Sequence, residues 1–327
     1  MGGIPLRFLK ASFLCLWLPW VAEAGTAFPS SPLIEKQAQF WEKIFSSYGS
    51  HQIVVHDKDD MKLILGVINL RAQGYQDRNS PGADNFVELS MRRYTETVQN
   101  FAERGSAARL ESPLSKTIWK AYADRPESRR RLLQGKVDIR GQGGLADTFV
   151  EAFQTSELYL PRMEKIFREH GLPPELTRIV FVESMFNRDA RSKVGASGFW
   201  QLMPRTARAY LRVNRHVDER NSPLKATQAA AKILRANYQE LQNWPLAITA
   251  YNHGLGGMKR AIRQTGSRKL SVIIEDYKSP SFGFASRNFY AEFLAALRTH
   301  EYHQDRRITK VDSKEKKRKK GQALSLE

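Results

Sequence analysis

Cys15 is the only cysteine in the 327 residues, and it lies inside a segment with the layout of an export signal. Arg7 and Lys10 precede an apolar run from Ala11 to Val21, and Ala22-Glu23-Ala24 supplies the small-residue pattern of a cleavage site. Residues 1–24 are therefore expected to be removed as a signal peptide, which leaves a chain without a thiol. Its fold must be held by packing and hydrogen bonds, because disulfides and thiolate metal sites are excluded. Leu14 occupies the position where a lipid-modified cysteine needs a small residue, so a lipid anchor at Cys15 is not expected. No other stretch approaches the roughly 18 apolar residues of a membrane span. The expected location is the periplasm or cell envelope.

A chain that is 41% hydrophobic and 26% charged has the composition of a globular protein, and its length favours a main domain with a smaller accessory region. The formal charge is +18 and, since the leader holds only Arg7, Lys10 and Glu23, this excess belongs to the remaining chain. Such a field attracts any polyanion: nucleic acid, acidic lipid or anionic wall polymer. The export signal argues against nucleic acid as a partner, as does the lack of aromatics interleaved with basic residues.

Residues 25–145 read as an accessory region, mostly helical, with one strand over Gln52–His56. His51, His56, Asp57, Asp59 and Asp60 cluster there; the reading is a solvated loop between helix and strand, and no metal is expected. Arg129-Arg130-Arg131 reads as the wet face of a helix. Gly141-Gln-Gly-Gly144 marks a break, and from 146 to 300 helical patterns follow one another with short Gly or Pro punctuation. The stretch from Arg306 to Glu327 holds nine basic and three acidic residues and almost no apolar ones, so residues 301–327 are expected to be a disordered basic tail. Zinc-binding spacings, phosphate loops, dinucleotide-binding glycines and the nucleophile elbow are absent, and no cofactor is expected.

The chemistry is concentrated in three clusters. Pro173-Pro174-Glu175 opens a helix that runs Leu176-Thr-Arg-Ile-Val-Phe-Val-Glu183-Ser-Met-Phe186. Helical spacing puts Glu183 on the stripe of Leu176, Ile179 and Val180, a desolvating position that raises a carboxyl pKa toward that of a general acid. The competing reading is a buried glutamate paired with Arg188 or Arg191. The second cluster, Ser192 to Pro204, is a loop of small residues followed by Trp200, Gln201 and Met203. By itself it reads as a core aromatic and a loop fastener sooner than as a set of substrate contacts. The third, Trp244 to Gly254, ends a helix with Tyr251 and Asn252, which in isolation read as core and capping residues.

Taken in order, Glu183-Ser184, Ser192 to Gln201 and Ala250-Tyr251-Asn252-His253-Gly254 resemble the three motifs of family 1 lytic transglycosylases, whose SLT-type fold is shared with goose-type lysozyme. The similarity spans roughly 150 to 297, and Val217-Asp-Glu-Arg220 and Phe284-Ala-Ser-Arg-Asn-Phe-Tyr290 bring it nearest the type D branch. That branch often carries LysM wall-binding modules, and here the chain ends in a basic tail. The resemblance implies a mainly α fold: a lysozyme-like SLT helical catalytic domain preceded by a smaller, mostly helical N-terminal region. It implies cleavage of the β-1,4 bond between N-acetylmuramic acid and N-acetylglucosamine in peptidoglycan glycan strands with formation of a 1,6-anhydro product. Glu183 would be the single acid and base, while Ser192, Gln201, Met203, Tyr251 and Asn252 would bind substrate. Asp218 and Glu219 are the nearest alternative acids for a two-carboxylate hydrolase. The alternatives are hydrolysis by a goose-lysozyme-like muramidase, or a non-catalytic wall-binding protein that keeps the fold. The tail would act as a tether to anionic envelope polymers or phospholipid.

Overall fold

The structure, a computed structural model, describes residues 27–324, with side chains up to residue 307; the expected signal peptide lies outside the described residues. Helix α1 (Pro32–Ser46) begins with the Ser31 hydroxyl accepting from the Ile34 N–H and proline in the first turn. A three-stranded antiparallel sheet follows, in the order β2 (Ile64–Asn69), β1 (Gln52–Asp57), β3 (Ile139–Gly143). Between β2 and β3 lie α2 (Ala83–Arg104), α3 (Pro113–Ala121) and α4 (Pro126–Leu133), so this region is mostly helical. Strand β1 falls where the sequence predicts one. Strands β2 and β3 do not announce themselves, since each is interrupted by glycine, and β3 contains the Gly141–Gly143 stretch that reads as a break.

Central strand β1 is buried on both faces, which explains why Ile53-Val54-Val55 does not alternate with polar residues. Ile53 and Val55 pack into a core with α2, α3 and α4, while Val54 faces a larger helical core. The acidic cluster beside β1 is a solvated loop only in part: Asp59 is exposed and Asp60 partly so. His56 and Asp57 are fully buried in the strand, and the His56 Nδ1 donates to the Asp57 carbonyl at 2.8 Å. The Asp57 carboxylate accepts from Arg131 at 2.6 Å, from the Tyr122 hydroxyl at 3.1 Å and from the backbone N–H of Asp59 and Asp60. Arg131 therefore leaves the wet face expected for it: a buried anion needs a partner, and α4 supplies one.

The second half is helical: α5 (Ala146–Glu169), α6 (Ile179–Glu183), α7 (Pro204–Ala207), α8 (Pro223–Leu241), α9 (Trp244–His253), α10 (Leu255–Thr265), α11 (Leu270–Asp276) and α12 (Phe284–Leu324). The chain as a whole is mainly α, as its sequence predicts. Helix α12 lies along α1 and α9, and Arg298 binds Glu35 and Glu42 of α1 at 2.8 Å each. Helix α1 thus shares the large core with the second half, although it precedes the break near residue 145. Helix α12 runs on through the basic stretch whose composition predicts disorder; Lys, Arg, Glu and Gln are also good helix formers. No helix among the described residues is long and apolar enough to cross a membrane.

Candidate active site

The helix read from Leu176 to Phe186 is broken into a 3₁₀ turn over Pro174–Arg178 and the five-residue α6 that stops at Glu183. Leu176, Ile179 and Val180 are fully buried, as the stripe predicts. The helix cannot continue because Met185 and Phe186 adopt left-handed backbone angles, with φ of 49° and 53°. Gln201 is left-handed as well, with φ 42°. Three such non-glycine residues around one carboxylate are a concentration of backbone strain of the kind found at functional sites.

Glu183 is half-buried and makes no hydrogen bond within the protein, and neither Arg188 nor Arg191, both exposed, pairs with it. Desolvation, reinforced by repulsion from Glu292, pushes its carboxyl up to about 8, so at neutral pH the acid form predominates. Tyr251 of α9 lies beside it. The phenol is held far above its ordinary range by burial and by the Glu183 charge, and its hydroxyl donates to the Trp200 carbonyl at 2.8 Å.

The loop after α6 is stitched to the site by its own backbone. The Ser184 hydroxyl donates to the Phe199 carbonyl at 2.9 Å, and the Ser192 hydroxyl accepts from the Ala196 N–H at 2.9 Å. Gln201 donates its amide to the carbonyls of Ala190 and Gly198, at 3.0 and 2.8 Å. Trp200 is fully buried, stacked on Phe167 and donating to Thr227, so it belongs to the core. Gly198 is required by geometry: its φ is 75°, and an added Cβ would sit 2.2 Å from the Arg220 carbonyl oxygen. Arg220 braces the loop from behind, donating to the carbonyls of Gly195 and Leu202 and to Asp218. Asp218 is engaged by Arg220, and Glu219 by Arg212 and Lys225; both carboxyls are held below their ordinary range by these partners.

Among the sequence-derived site residues, Glu183 and Tyr251 are therefore brought together. Ser192 and Gln201 hold the shape of the adjoining loop, Met203 stands exposed before α7, and Asn252, also exposed, accepts from the Ser286 hydroxyl of α12 at 2.7 Å. The residue that sequence reasoning misses is Glu292 on α12. Its signal is the one used for Glu183, a single acid within the apolar run Phe289-Tyr-Ala-Glu292-Phe-Leu-Ala-Ala-Leu297. Burial pushes its carboxyl up to about 8 against the attraction of Arg140.

Residues 163–274 match the family model described as the transglycosylase SLT domain. Over 149 residues the chain is 32% identical to membrane-bound lytic murein transglycosylase D of Escherichia coli K12, a match covering 45% of this chain and 32% of that protein. Over 193 residues it is 32% identical to membrane-bound lytic murein transglycosylase F of Pseudomonas putida, covering 51% of this chain and 38% of that protein. The alignments thus take in about a third of the length of these curated relatives. Among solved structures, the 70 kDa soluble lytic transglycosylase of Escherichia coli is similar at 17% identity and a TM-score of 0.39, over 58% of this chain and 33% of that one.

Proposed function

We propose that this chain, which carries an SLT-type transglycosylase domain, is a peptidoglycan lytic transglycosylase of the cell envelope, with residues 146–300 as its catalytic domain and Glu183 as acid and base in turn. The observation that carries the reading is a carboxyl that keeps its proton at neutral pH with no cation beside it and no hydrogen bond inside the protein. Such a group can protonate the glycosidic oxygen between N-acetylmuramic acid and N-acetylglucosamine. The bond to C1 breaks, and the sugar acquires oxocarbenium character. Glu183, now a carboxylate, takes the proton of the muramoyl C6 hydroxyl while that oxygen attacks C1, which closes the 1,6-anhydro ring and returns the glutamate to its acid form. No water is consumed.

Tyr251 and Asn252 would keep the glutamate and the sugar in register, with Met203 and the loop from Ser192 to Gln201 lining the subsites. The strand would be drawn to the envelope-facing protein by its positive charge, with Lys314 to Lys320 as a tether to anionic polymers or phospholipid. That role predicts salt-sensitive binding to sacculi that is lost when residues 306–327 are deleted. The competing reading is hydrolysis, in which Glu292, the second acid packed near Glu183, would have to lose its proton and serve as the base for water. Digestion of purified sacculi in heavy-oxygen water separates the two. The transglycosylase reading expects anhydro-muramoyl ends, one water lighter and free of label, and their absence from wild-type digests together with labelled reducing ends would replace it with hydrolysis.

A further inference from the structure

Behind the loop that carries Gln201, on the side braced by Arg220, the surface holds a cleft of about 620 Å³. One wall is the face of α5 that shows Leu158, Tyr159 and Arg162, another is Arg188 of the segment after α6, and the third is the chain from Val217 to Leu224. Glu183, Gln201, Met203, Tyr251 and Asn252 do not line it, so it is separate from the candidate active site. Leu158 and Arg162 are one helical turn apart, which sets an apolar contact beside a guanidinium, and Leu158 is 75% exposed. Arg162 and Arg188 are both exposed and make no ion pair among the described residues. The carboxylates on the opposite wall are already taken, Asp218 by Arg220 and Glu219 by Arg212 and Lys225. The cleft thus offers two uncommitted guanidiniums beside apolar surface, which complements a short chain bearing carboxylates and small apolar side chains.

Its walls are tied to the residues around the acid. Tyr159 meets the Phe199 ring edge-on at 4.9 Å, Phe199 meets Phe186 at 5.3 Å, and the Phe199 carbonyl accepts from Ser184, the residue after Glu183. On the other wall Asn221 accepts from the Ser197 hydroxyl at 2.7 Å. A ligand held in the cleft is therefore held at a fixed place relative to Glu183. Resting on the transglycosylase reading, we propose that the cleft is a second binding site, for a peptide stem of peptidoglycan. Its free carboxylates bind Arg162 and Arg188, and its alanyl methyl groups lie on Leu158, Tyr159 and Val217. Stems keep those carboxylates where they are not cross-linked, so the site selects open stems. Gripping a stem as well as a glycan strand makes the second contact intramolecular and raises the affinity for peptide-bearing wall without altering the chemistry at Glu183.

The test is calorimetric titration of the whole chain with a soluble tetrapeptide stem that carries no sugar. Wild type and E183Q should bind it equally. R162E/R188E, two changes at exposed positions, should bind it at least about tenfold more weakly, as should wild type offered a stem whose carboxylates are amidated. K232E/R235E makes the same change of charge on the exposed side of α8 and should bind like wild type. On sacculi R162E/R188E should raise KM by about tenfold and keep kcat, and on strands stripped of peptide by an amidase it should match wild type. No binding of the stem by wild type, equal binding by R162E/R188E, an equal loss in K232E/R235E, or retention of anionic phospholipid vesicles in place of the stem overturns the proposal. Binding of the stem does not depend on turnover: its loss in R162E/R188E without anhydro product from wild type would leave the cleft standing and remove the transglycosylase reading, while normal anhydro product with no stem binding does the reverse.

Discussion

Asp57 and Glu183 are carboxylates set in apolar surroundings and treated in opposite ways. Asp57, wholly buried on β1, is given a guanidinium, a phenol and two backbone N–H donors. Glu183 is given no partner, a second acid at its back and a proton it holds to about pH 8. A buried charge with all its partners joins three elements of the N-terminal core, whereas one left without partners stores free energy as a displaced pKa, which is available to a reaction. Both residues stand out in the sequence as acids in or beside apolar runs. The partners around each separate them, and those come from distant positions.

The largest expected effects lie at these two residues and run in opposite directions. Replacing Glu183 with Gln should lower anhydro-product release about a thousandfold while thermal melting stays where it is or rises, since a proton donor and not a structural contact is removed. Replacing Asp57 with Ala should leave the chemistry of the second half intact but destabilise the N-terminal core by about 3 kcal/mol, because the buried Tyr122 hydroxyl loses its acceptor and Arg131 keeps only Asp59 as a partner. Urea unfolding and product assays on both variants check this. If D57A melts like wild type, or if E183Q loses its fold, the distinction between the two acids is gone.

The pH dependence of stability sharpens the same comparison at smaller scale. Glu183 has a folded pKa near 8 against an ordinary value of 4.5, so between those limits the native state binds more protons than the unfolded chain. Its contribution to stability is complete below about pH 4.5 and is lost as the pH climbs toward 8. Wild type should therefore lose more stability than E183Q between pH 5 and pH 8, measured by urea melts at each pH. Equal losses in the two proteins would mean that Glu183 is solvated as freely in the folded chain as in the unfolded one.

Much of the second half is legible in order along the chain, because helices announce themselves locally. Proline starts, the apolar stripe before Glu183 and the glycines at 195, 198 and 254 each mark a feature at or near its own position. The N-terminal sheet was half-legible. Strand β1 shows through its β-branched run, but β2 and β3 are interrupted by glycine and are held by cross-strand partners 8 to 90 residues away, from Ile64 opposite His56 to Gly143 opposite Ile53. Glu292 was missed for a related reason. It is a single acid in an apolar run, as Glu183 is, but that signal does not say that α12 packs against α6. Reading Leu176 to Phe186 as one helix failed because the pattern of apolar residues contains nothing about the left-handed turn at Met185 and Phe186, which depends on Ser184 being tied to Phe199.

Tyr251 offers the smallest and most discriminating measurement. Its hydroxyl bonds the Trp200 carbonyl at 2.8 Å, so one oxygen links α9 to the loop while the ring stands against Glu183. Removing that oxygen in Y251F keeps the ring and breaks one hydrogen bond, which should cost about 1 kcal/mol of stability. If Tyr251 only fastens the loop, activity should fall in proportion to a looser site and the pH profile should keep its shape. If it also holds the glutamate and the sugar in register, turnover should fall by more than binding does. The ratio of the change in kcat to the change in KM therefore decides whether the phenol belongs with the partners that build the site, as Arg131 does for Asp57, or with the acid it stands beside.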